Sequence, residues 1–202
     1  MKIEWRSVDS FNGNSSSRSL VERRACPVCG SERSRFVFQM NDFQCYSDSA
    51  KMPKRLDLVT RQCRACHALF MNPCYSARGF RILFSEAGHS YGSTADHAAE
   101  QIKWMNRRGL LKAGHLVLDA ACYDGAFLSL MPRDVECIGV DINAPAIRRG
   151  RKKYGRRGLT LVYGNLQTFR LKEAPDVVTC LHMLEHLPRP VSALRHLHSC
   201  AH

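Results

Sequence analysis

Long apolar runs are missing from this sequence of 202 residues. No run approaches the ~18 apolar residues that a membrane-spanning helix needs, and the polar first segment, MKIEWRSVDSFNG, is unlike a secretory signal. These absences argue against a membrane or secreted protein and predict a cytoplasmic one. Apolar residues still make up 45% of the chain, which is enough to fill a core.

Signs of a disulfide framework are also missing, although the chain has 10 cysteines. Without an export signal, the reducing cytosol favours metal binding for closely paired cysteines. Two pairs have that spacing, Cys26 with Cys29 and Cys63 with Cys66. The others are scattered, and we predict no chemistry for their thiols: Cys45, Cys74, Cys122, Cys137, Cys180 and Cys200.

The two Cys-x-x-Cys pairs predict a structural zinc site. Each tight turn directs two sulfur atoms at one metal ion, and four thiolates close a tetrahedral shell without an open position for catalysis. A redox motif is the alternative, but it would need thioredoxin-like surroundings, which the sequence lacks. His67 follows Cys66 directly and is interpreted as a neighbour of the ligands or a surface residue.

Composition divides the chain into four parts. Residues 1–22 are rich in serine, asparagine and charge, which predicts a disordered leader. A zinc-binding module is predicted over 23–76 and a connector over 77–95. Residues 96–202 are predicted to form an α/β domain.

The α/β prediction comes from short apolar runs that alternate with helical patterns. The predicted strands are HLVLD (115–119), CIGVD (137–141), LTLVY (159–163) and DVVTCL (176–181). Predicted helices include 96–112, APAIRRGRKKYG and PVSALRHLHSC. This alternation predicts a doubly wound, Rossmann-like parallel sheet, whose ligands bind at the carboxyl ends of the strands. With only four strands, the sheet is expected to be incomplete in its C-terminal half.

Positive charge is concentrated in one segment of a chain whose formal net charge is +12. Residues 148–157, RRGRKKYGRR, carry basic side chains and no acidic ones. Such a run is either the solvated face of a helix and its last turn or a surface for an anionic partner such as RNA.

Two aspartates mark a cofactor site at the strand ends. Asp119 ends the first strand and precedes a loop of small residues, and Asp141 ends the second strand. A carboxylate at the second position can accept hydrogen bonds from the ribose hydroxyls of an adenosine cofactor. NAD, FAD and S-adenosylmethionine all fit these features, but no G-x-G-x-x-G is present to hold a pyrophosphate.

Three motifs resemble those of class I S-adenosylmethionine-dependent methyltransferases. DAACYDG (119–125) is similar to their first motif, D-x-G-x-G-x-G. GNLQTF (164–169) stands where they have Gly-Asp, and the segment DVVTCLHMLEHLPRP (176–190) is similar to their fourth-strand motif.

The resemblance implies that S-adenosylmethionine is the cofactor and assigns residues to its parts. Asp119 and the loop with Ala121, Cys122 and Gly125 would meet the methionyl part. Asp141 and Ile142 would meet the ribose, Asn165 and Leu166 the adenine, and Leu181 and His182 the open side of the cofactor.

The sequence departs from the family pattern in three ways. Ala121 and Tyr123 replace two glycines, and a positive φ at Tyr123 would strain the loop. Asn165 replaces the usual aspartate, which keeps an acceptor and adds a donor. The family fold has three further strands that build much of the substrate pocket, so the chain is expected to be truncated.

The zinc pairs and the connector resemble the leader of some bacterial methyltransferases, including sugar C-methyltransferases. The leading hypothesis is therefore methyl transfer to a small molecule, such as a sugar or natural-product intermediate. RNA methylation through residues 148–157 is the alternative enzyme, and a truncated remnant that binds zinc and cofactor without activity is the non-enzyme alternative.

His182 and His186 are candidate bases for methyl transfer. A sulfonium donor is already activated, so the favoured interpretation is that both histidines only shape the cofactor pocket. HMLEH also matches the H-x-x-E-H pattern of inverted zinc proteases. The strand before it and the prolines after it leave no room for the helix that such a site needs.

Overall fold

The computed structural model describes residues 20–44, 49–52, 55–88, 95–155, 158–166 and 168–201. They fall into two compact units. The first includes the described residues up to Ala87 together with His186–Val191, and the second includes Gly88–Glu185 and the residues from Ser192 onward. The first contains all four paired cysteines and the second contains the parallel sheet.

The first unit is built from short antiparallel sheets and one helix. Its strands are β1 (Val21–Glu22), β2 (Ser34–Gln44), β3 (Arg55–Cys63), β4 (Leu69–Met71) and β5 (Cys74–Tyr75). β2, β3 and β4 form one sheet in that order, and β1 pairs with β5. Helix α1 (Ala77–Ser85) follows and begins at Ser76, whose Oγ accepts a hydrogen bond from the Gly79 N–H at 3.1 Å.

One face of the β2–β3–β4 sheet is apolar and exposed. Phe38 and Met71 both stand opposite Thr60, so they share this face with Met40, which stands opposite Leu58. Phe38 is 47% exposed and Leu69, on the same face of β4, is 62% exposed. The buried cluster at the paired cysteines consists of Cys26, Cys63 and Phe70, and Met52, Cys74 and Leu83 are also buried among the described residues of this unit.

The second unit begins with helix α2 (Ala95–Arg107) and continues as a parallel α/β sheet. Its strands are β6 (Leu116–Ala120), β7 (Glu136–Asp141), β8 (Leu159–Tyr163) and β9 (Val177–Thr179). Its helices are α3 (Ala126–Ser129), α4 (Ala144–Tyr154) and α5 (Pro190–Cys200), and a 3-10 turn spans Leu184–His186. The sheet order β8-β7-β6-β9, with all pairs parallel, confirms the predicted fold class.

Burial on both faces explains why these segments form central strands. Every residue of β6 is buried, and Val117 and Leu118 have no exposed surface. Asn143 caps α4, because its side-chain oxygen accepts a hydrogen bond from the Ala146 N–H at 2.9 Å. The strand order reverses between β6 and β9, so the second unit has its switch point there.

Two predicted boundaries need correction. Val21 and Glu22, predicted to lie in a disordered leader, form β1 because their backbone pairs with β5. Residues 1–19 lie outside the described residues. The predicted connector 77–95 contains α1, which belongs with the first unit.

The buried residues of α5 are Ala193 and Leu197, whereas Leu194 is 47% exposed. None of the helices in the described part of the chain is long and apolar enough to cross a membrane.

Candidate functional site

The four paired cysteines meet at one point of the first unit. The Sγ atoms of Cys26 and Cys66 are 3.6 Å apart, and those of Cys29 and Cys63 are 3.5 Å apart. All four sulfur atoms lie within 4.8 Å of one another. Four thiolates at ~2.3 Å from a central tetrahedral zinc ion would be ~3.8 Å apart, so this cluster matches the size of such a shell.

Both cysteine pairs lie in turns of the same design. The Gly30 N–H donates to the Cys26 carbonyl at 2.9 Å, and the His67 N–H donates to the Cys63 carbonyl at 3.2 Å. The residue after each pair is left-handed, with φ of 76° at Gly30 and 61° at His67. Glycine adopts this conformation freely, whereas it costs ~1–2 kcal/mol for histidine. His67 therefore lies in the turn as its closing residue.

Backbone N–H groups favour the thiolate form of Cys63. Hydrogen bonds from the N–H groups of Cys66 and Ala65 lower the pKa of Cys63 to about 6. A thiolate is the form that binds metal ions. Four sulfur ligands complete a tetrahedral shell, so a metal held here would support the fold and leave no position for a substrate.

The residues predicted to bind a cofactor collect at one edge of the parallel sheet. The carboxyl ends of parallel strands meet at the same edge, so the loops that follow the four strands lie together. β6 places Asp119, Ala121, Cys122 and Gly125 there, β7 places Asp141 and Ile142, β8 is followed by Asn165 and Leu166, and β9 by Leu181 and His182.

Asp119 is a buried carboxyl group at the switch point. It is 3% exposed, and its Oδ1 accepts a hydrogen bond from the Thr179 hydroxyl at 2.7 Å. The pKa of Asp119 is raised to about 7. Burial is the main cause and the nearby Asp141 carboxylate adds to it, whereas the Thr179 hydrogen bond acts in the opposite direction. A cation bound beside this group would favour its ionised form.

Asp141 is held by backbone N–H groups of two loops. Its Oδ2 accepts from the Tyr123 N–H at 2.8 Å, and its Oδ1 accepts from the Asn143 N–H at 2.7 Å. Burial raises the pKa of Asp141, and these bonds, with one from Ile142, oppose the rise. A carboxylate has about four acceptor positions, so about one remains on Asp141 for a ligand hydroxyl.

The loop between β6 and α3 is tightly folded. Ala121, Tyr123 and Gly125 all have positive φ, of 71°, 52° and 80°. The predicted strain at Tyr123 is therefore present, at a cost of ~1–2 kcal/mol for each non-glycine residue. A Cβ added at Gly150 of α4 would overlap the Asp124 carbonyl oxygen, so only glycine lets the helix approach this loop.

The side chains of the predicted cofactor residues differ in exposure. Cys122 is 6% exposed and Leu166 is 5% exposed, so both pack in the core and offer mainly backbone to a ligand. Asn165 and His182 are exposed, and Leu181 packs against the core. His182 is left-handed, with φ of 50°.

The second candidate base has a different environment. The His186 ring lies 5.0 Å from the Phe84 ring, both in the first unit. His186 is half-buried, whereas His182 is exposed, so their surroundings give the two candidate bases different access to solvent.

Part of the basic segment is engaged within the second unit. The Arg149 guanidinium donates to the Tyr123 hydroxyl at 2.8 Å, and the Arg151 Nε donates to the Leu161 carbonyl at 2.8 Å. Arg156 and Arg157 lie outside the described residues. Two arginines of this segment thus make contacts within the second unit.

Sequence reasoning missed two contributors to this edge. Thr179 stands opposite Asp119 in the β6–β9 register, and Arg149 contacts the loop from the next helix. A threonine inside the apolar run DVVTCL was the available signal for the first. Arg149 had no sequence signal, because nothing in the sequence distinguishes it from the neighbouring arginines of α4.

Comparison with known proteins supports this assignment of the sheet. The family described as "Methyltransferase domain" matches residues 91–202. The ubiquinone biosynthesis O-methyltransferase of Pseudomonas paraeruginosa is 33% identical over 103 residues, which are 48% of this chain and 44% of that relative. The same enzyme of Stutzerimonas stutzeri is 33% identical over 100 residues, which are 47% of this chain and 43% of the relative. The chain thus spans less than half the length of these curated relatives.

Solved structures of methyltransferases are also similar to the chain. Magnesium protoporphyrin IX methyltransferase of Synechocystis with bound S-adenosylmethionine gives a TM-score of 0.45 at 24% identity, over 53% of this chain and 54% of that one. An amino pentose methyltransferase of Micromonospora echinaspora gives 0.44 at 22% identity, over 55% and 48%.

Proposed function

Because the chain belongs to the methyltransferase-domain family, we propose that its parallel sheet binds S-adenosylmethionine and serves methyl transfer to a small-molecule acceptor. The observation that carries this proposal is Asp141 at the end of β7. Both its oxygens are oriented by backbone N–H groups, and the carboxylate keeps an acceptor position for a ribose hydroxyl.

Each strand-end loop would contact a different part of the cofactor. Asp119 and the loop Ala121, Cys122 and Gly125 would meet the methionyl part, and Asp141 with Ile142 the ribose. Asn165 and Leu166 would meet the adenine, and Leu181 and His182 would border the open side. A methyl group on a positively charged sulfur is the chemistry that the cofactor supplies when bound.

Electrostatics at the switch point fit a cationic ligand. Asp119 is buried, and its pKa of about 7 leaves it partly protonated near neutral pH. A positive charge nearby would lower that pKa and ionise the carboxyl group, so cofactor binding would release a proton. Methyl transfer from an activated donor then depends mainly on holding the acceptor in line, with His182 or His186 as candidate bases.

The four cysteines would hold one structural zinc ion. Their sulfur positions fit a tetrahedral shell, and the buried cluster of described residues at the site is small, with Cys26, Cys63 and Phe70 as its buried members. Zinc bound there would add stability to this part of the unit.

A small molecule is the proposed class of acceptor. The curated relatives are named as ubiquinone biosynthesis O-methyltransferases, and that name places their methyl transfer in the synthesis of a small molecule. The predicted resemblance of the first unit to the leader of sugar methyltransferases points to the same class. RNA methylation stays a sequence prediction that no contact in the described structure favours.

Calorimetric titration with S-adenosylmethionine and with NAD tests the cofactor proposal. We expect heat only with S-adenosylmethionine, and Asp141→Asn should weaken its binding by about 10- to 100-fold, since a hydrogen bond to a charged group is lost. Glu136→Gln, at the exposed opposite end of the same strand, is the matched control and should change the affinity less than about twofold. Binding of NAD alone, or equal loss in both variants, would overturn the proposal.

A further inference from the structure

Tyr123 occupies a position in the cofactor loop where its backbone conformation favours glycine. Its φ is 52°, and its N–H donates to Asp141 Oδ2 at 2.8 Å. The conformation of this one residue therefore fixes one of the hydrogen bonds that orient Asp141. A tyrosine held there needs something that offsets the strain of its side chain.

Arg149 makes two contacts with that side chain. Its guanidinium donates to the Tyr123 hydroxyl at 2.8 Å and lies 5.6 Å from the centre of the Tyr123 ring. The first is a charge-assisted hydrogen bond that holds the hydroxyl end of the ring, and it also keeps the positive charge near the ring.

The helix that carries Arg149 packs against the cofactor loop. Arg149 is on α4, which follows Asp141 directly and approaches the loop closely at Gly150. α4 is thus connected to the loop through the arginine as well as through backbone packing. A tyrosine anchored in this way is held in a backbone conformation that a glycine at residue 123 would adopt without an anchor.

We propose that Arg149 is a positioning residue for the cofactor loop, which it stabilises in its binding conformation by holding the Tyr123 side chain. The inference rests on the proposed S-adenosylmethionine site and deepens it. Arg149 has no assigned contact with the cofactor, so its effect passes through Tyr123 alone. This dependence on a second residue is what separates the proposal from a general effect of charge.

A double-mutant cycle tests it. Arg149→Ala should weaken S-adenosylmethionine binding, measured by calorimetry, by about 3- to 10-fold. In a Tyr123→Gly background the same change should alter the affinity less than about twofold, because glycine needs no anchor. Arg148→Ala removes the same charge from the neighbouring exposed position and should also alter it less than about twofold.

Hydrogen exchange of the cofactor-free protein supplies a readout that does not depend on the proposed function. Amides of residues 121–125 should exchange at least about threefold faster in Arg149→Ala, and at equal rates in Tyr123→Gly with and without Arg149. If the unsubstituted protein takes up no S-adenosylmethionine, the proposed function fails while the exchange rates still decide this inference. Unchanged exchange in Arg149→Ala, or equal losses in both backgrounds, would overturn it.

Discussion

The buried clusters of the two units differ in kind. In the first, the cluster at the paired cysteines contains Cys26, Cys63 and Phe70, and two of these residues are candidate metal ligands. In the second, the cluster is apolar and larger, and its members are Ala98, Met105, Leu111, Val117, Cys122, Phe127, Leu128, Met131, Val135, Cys137, Ile147 and Leu161. With the proposed zinc ion, the difference implies that the first unit depends on a metal and the second on apolar burial.

Replacing one candidate metal ligand should have the largest effect, because it should unfold one unit and leave the other folded. Cys63→Ser is expected to lose zinc and unfold the first unit, since metal binding supplies ~10 kcal/mol or more in small zinc modules. The parallel sheet should remain folded. Zinc content of the purified protein and NMR amide dispersion of each unit measure the two outcomes.

Cys74→Ala is the control for that change. Cys74 lies in the same unit and is 6% exposed, but it is outside the four-sulfur cluster. We expect one zinc ion per chain to be retained, with a loss of only ~1 kcal/mol of stability. Unfolding of both units in Cys63→Ser would contradict the contrast between them.

A substitution in the apolar core tests whether the second unit depends on apolar burial. Leu118 has no exposed surface, so Leu118→Ala should lower the unfolding free energy of the second unit by ~3 kcal/mol while zinc binding is unaffected. Urea unfolding followed by Trp104 fluorescence in a Trp5→Phe background measures it. Leu194→Ala, at a residue 47% exposed on α5, should cost less than ~0.5 kcal/mol. Equal costs at the two leucines would show that the sheet is not the stabilising core.

The buried carboxyl group makes the second unit sensitive to pH. Folded Asp119 keeps its proton up to a pKa of about 7, against an ordinary value of 3.8. The stability that this group contributes is therefore fully present below about pH 4 and is lost as the pH rises through about 7. Asp119→Asn should remove this loss and raise the unfolding free energy at pH 8 by ~1–2 kcal/mol, with little change at pH 4.

Thermal unfolding at several pH values follows that effect. Asp134→Asn, at an exposed position of the same unit, is the control and should leave the pH dependence as it is. A wild-type stability that rises between pH 5 and pH 8 while that of Asp119→Asn stays flat would contradict the predicted direction.

Sequence patterns predicted the second unit better than the first for a physical reason. LTLVY (159–163) coincides with β8, and PVSALRHLHSC with α5, because each has one uninterrupted period between turn or proline signals. β2 was not predicted as a long strand. Its register shifts between Phe36 and Phe38 and again between Met40 and Phe43, so the alternation that marks a strand is broken twice.

Candidate site residues divide the other way. The candidate metal ligands Cys26, Cys29, Cys63 and Cys66 could be predicted from spacing alone, since two tight turns bring their sulfur atoms within 4.8 Å of one another. Thr179 could not, because its contact with Asp119 joins residues 60 positions apart through the sheet register. A left-handed conformation was considered only for Tyr123, because it replaces a motif glycine, and that of Ala121 was not predicted.

The smallest expected effect concerns the backbone of the two cysteine turns. Gly30 and His67 occupy equivalent left-handed positions, and a Cβ added at Gly30 would meet nothing within 4 Å. Gly30→Ala should therefore lower stability through φ alone, by ~1 kcal/mol, and His67→Gly should raise it by ~0.5 kcal/mol, since glycine's greater freedom when unfolded offsets part of the relief. Because metal binding and folding are coupled, zinc affinity in competition with a chelator should fall about fivefold in the first variant and rise about twofold in the second. Changes of the same sign in both would show that the first unit depends on its metal ligands without any contribution from the turn conformation.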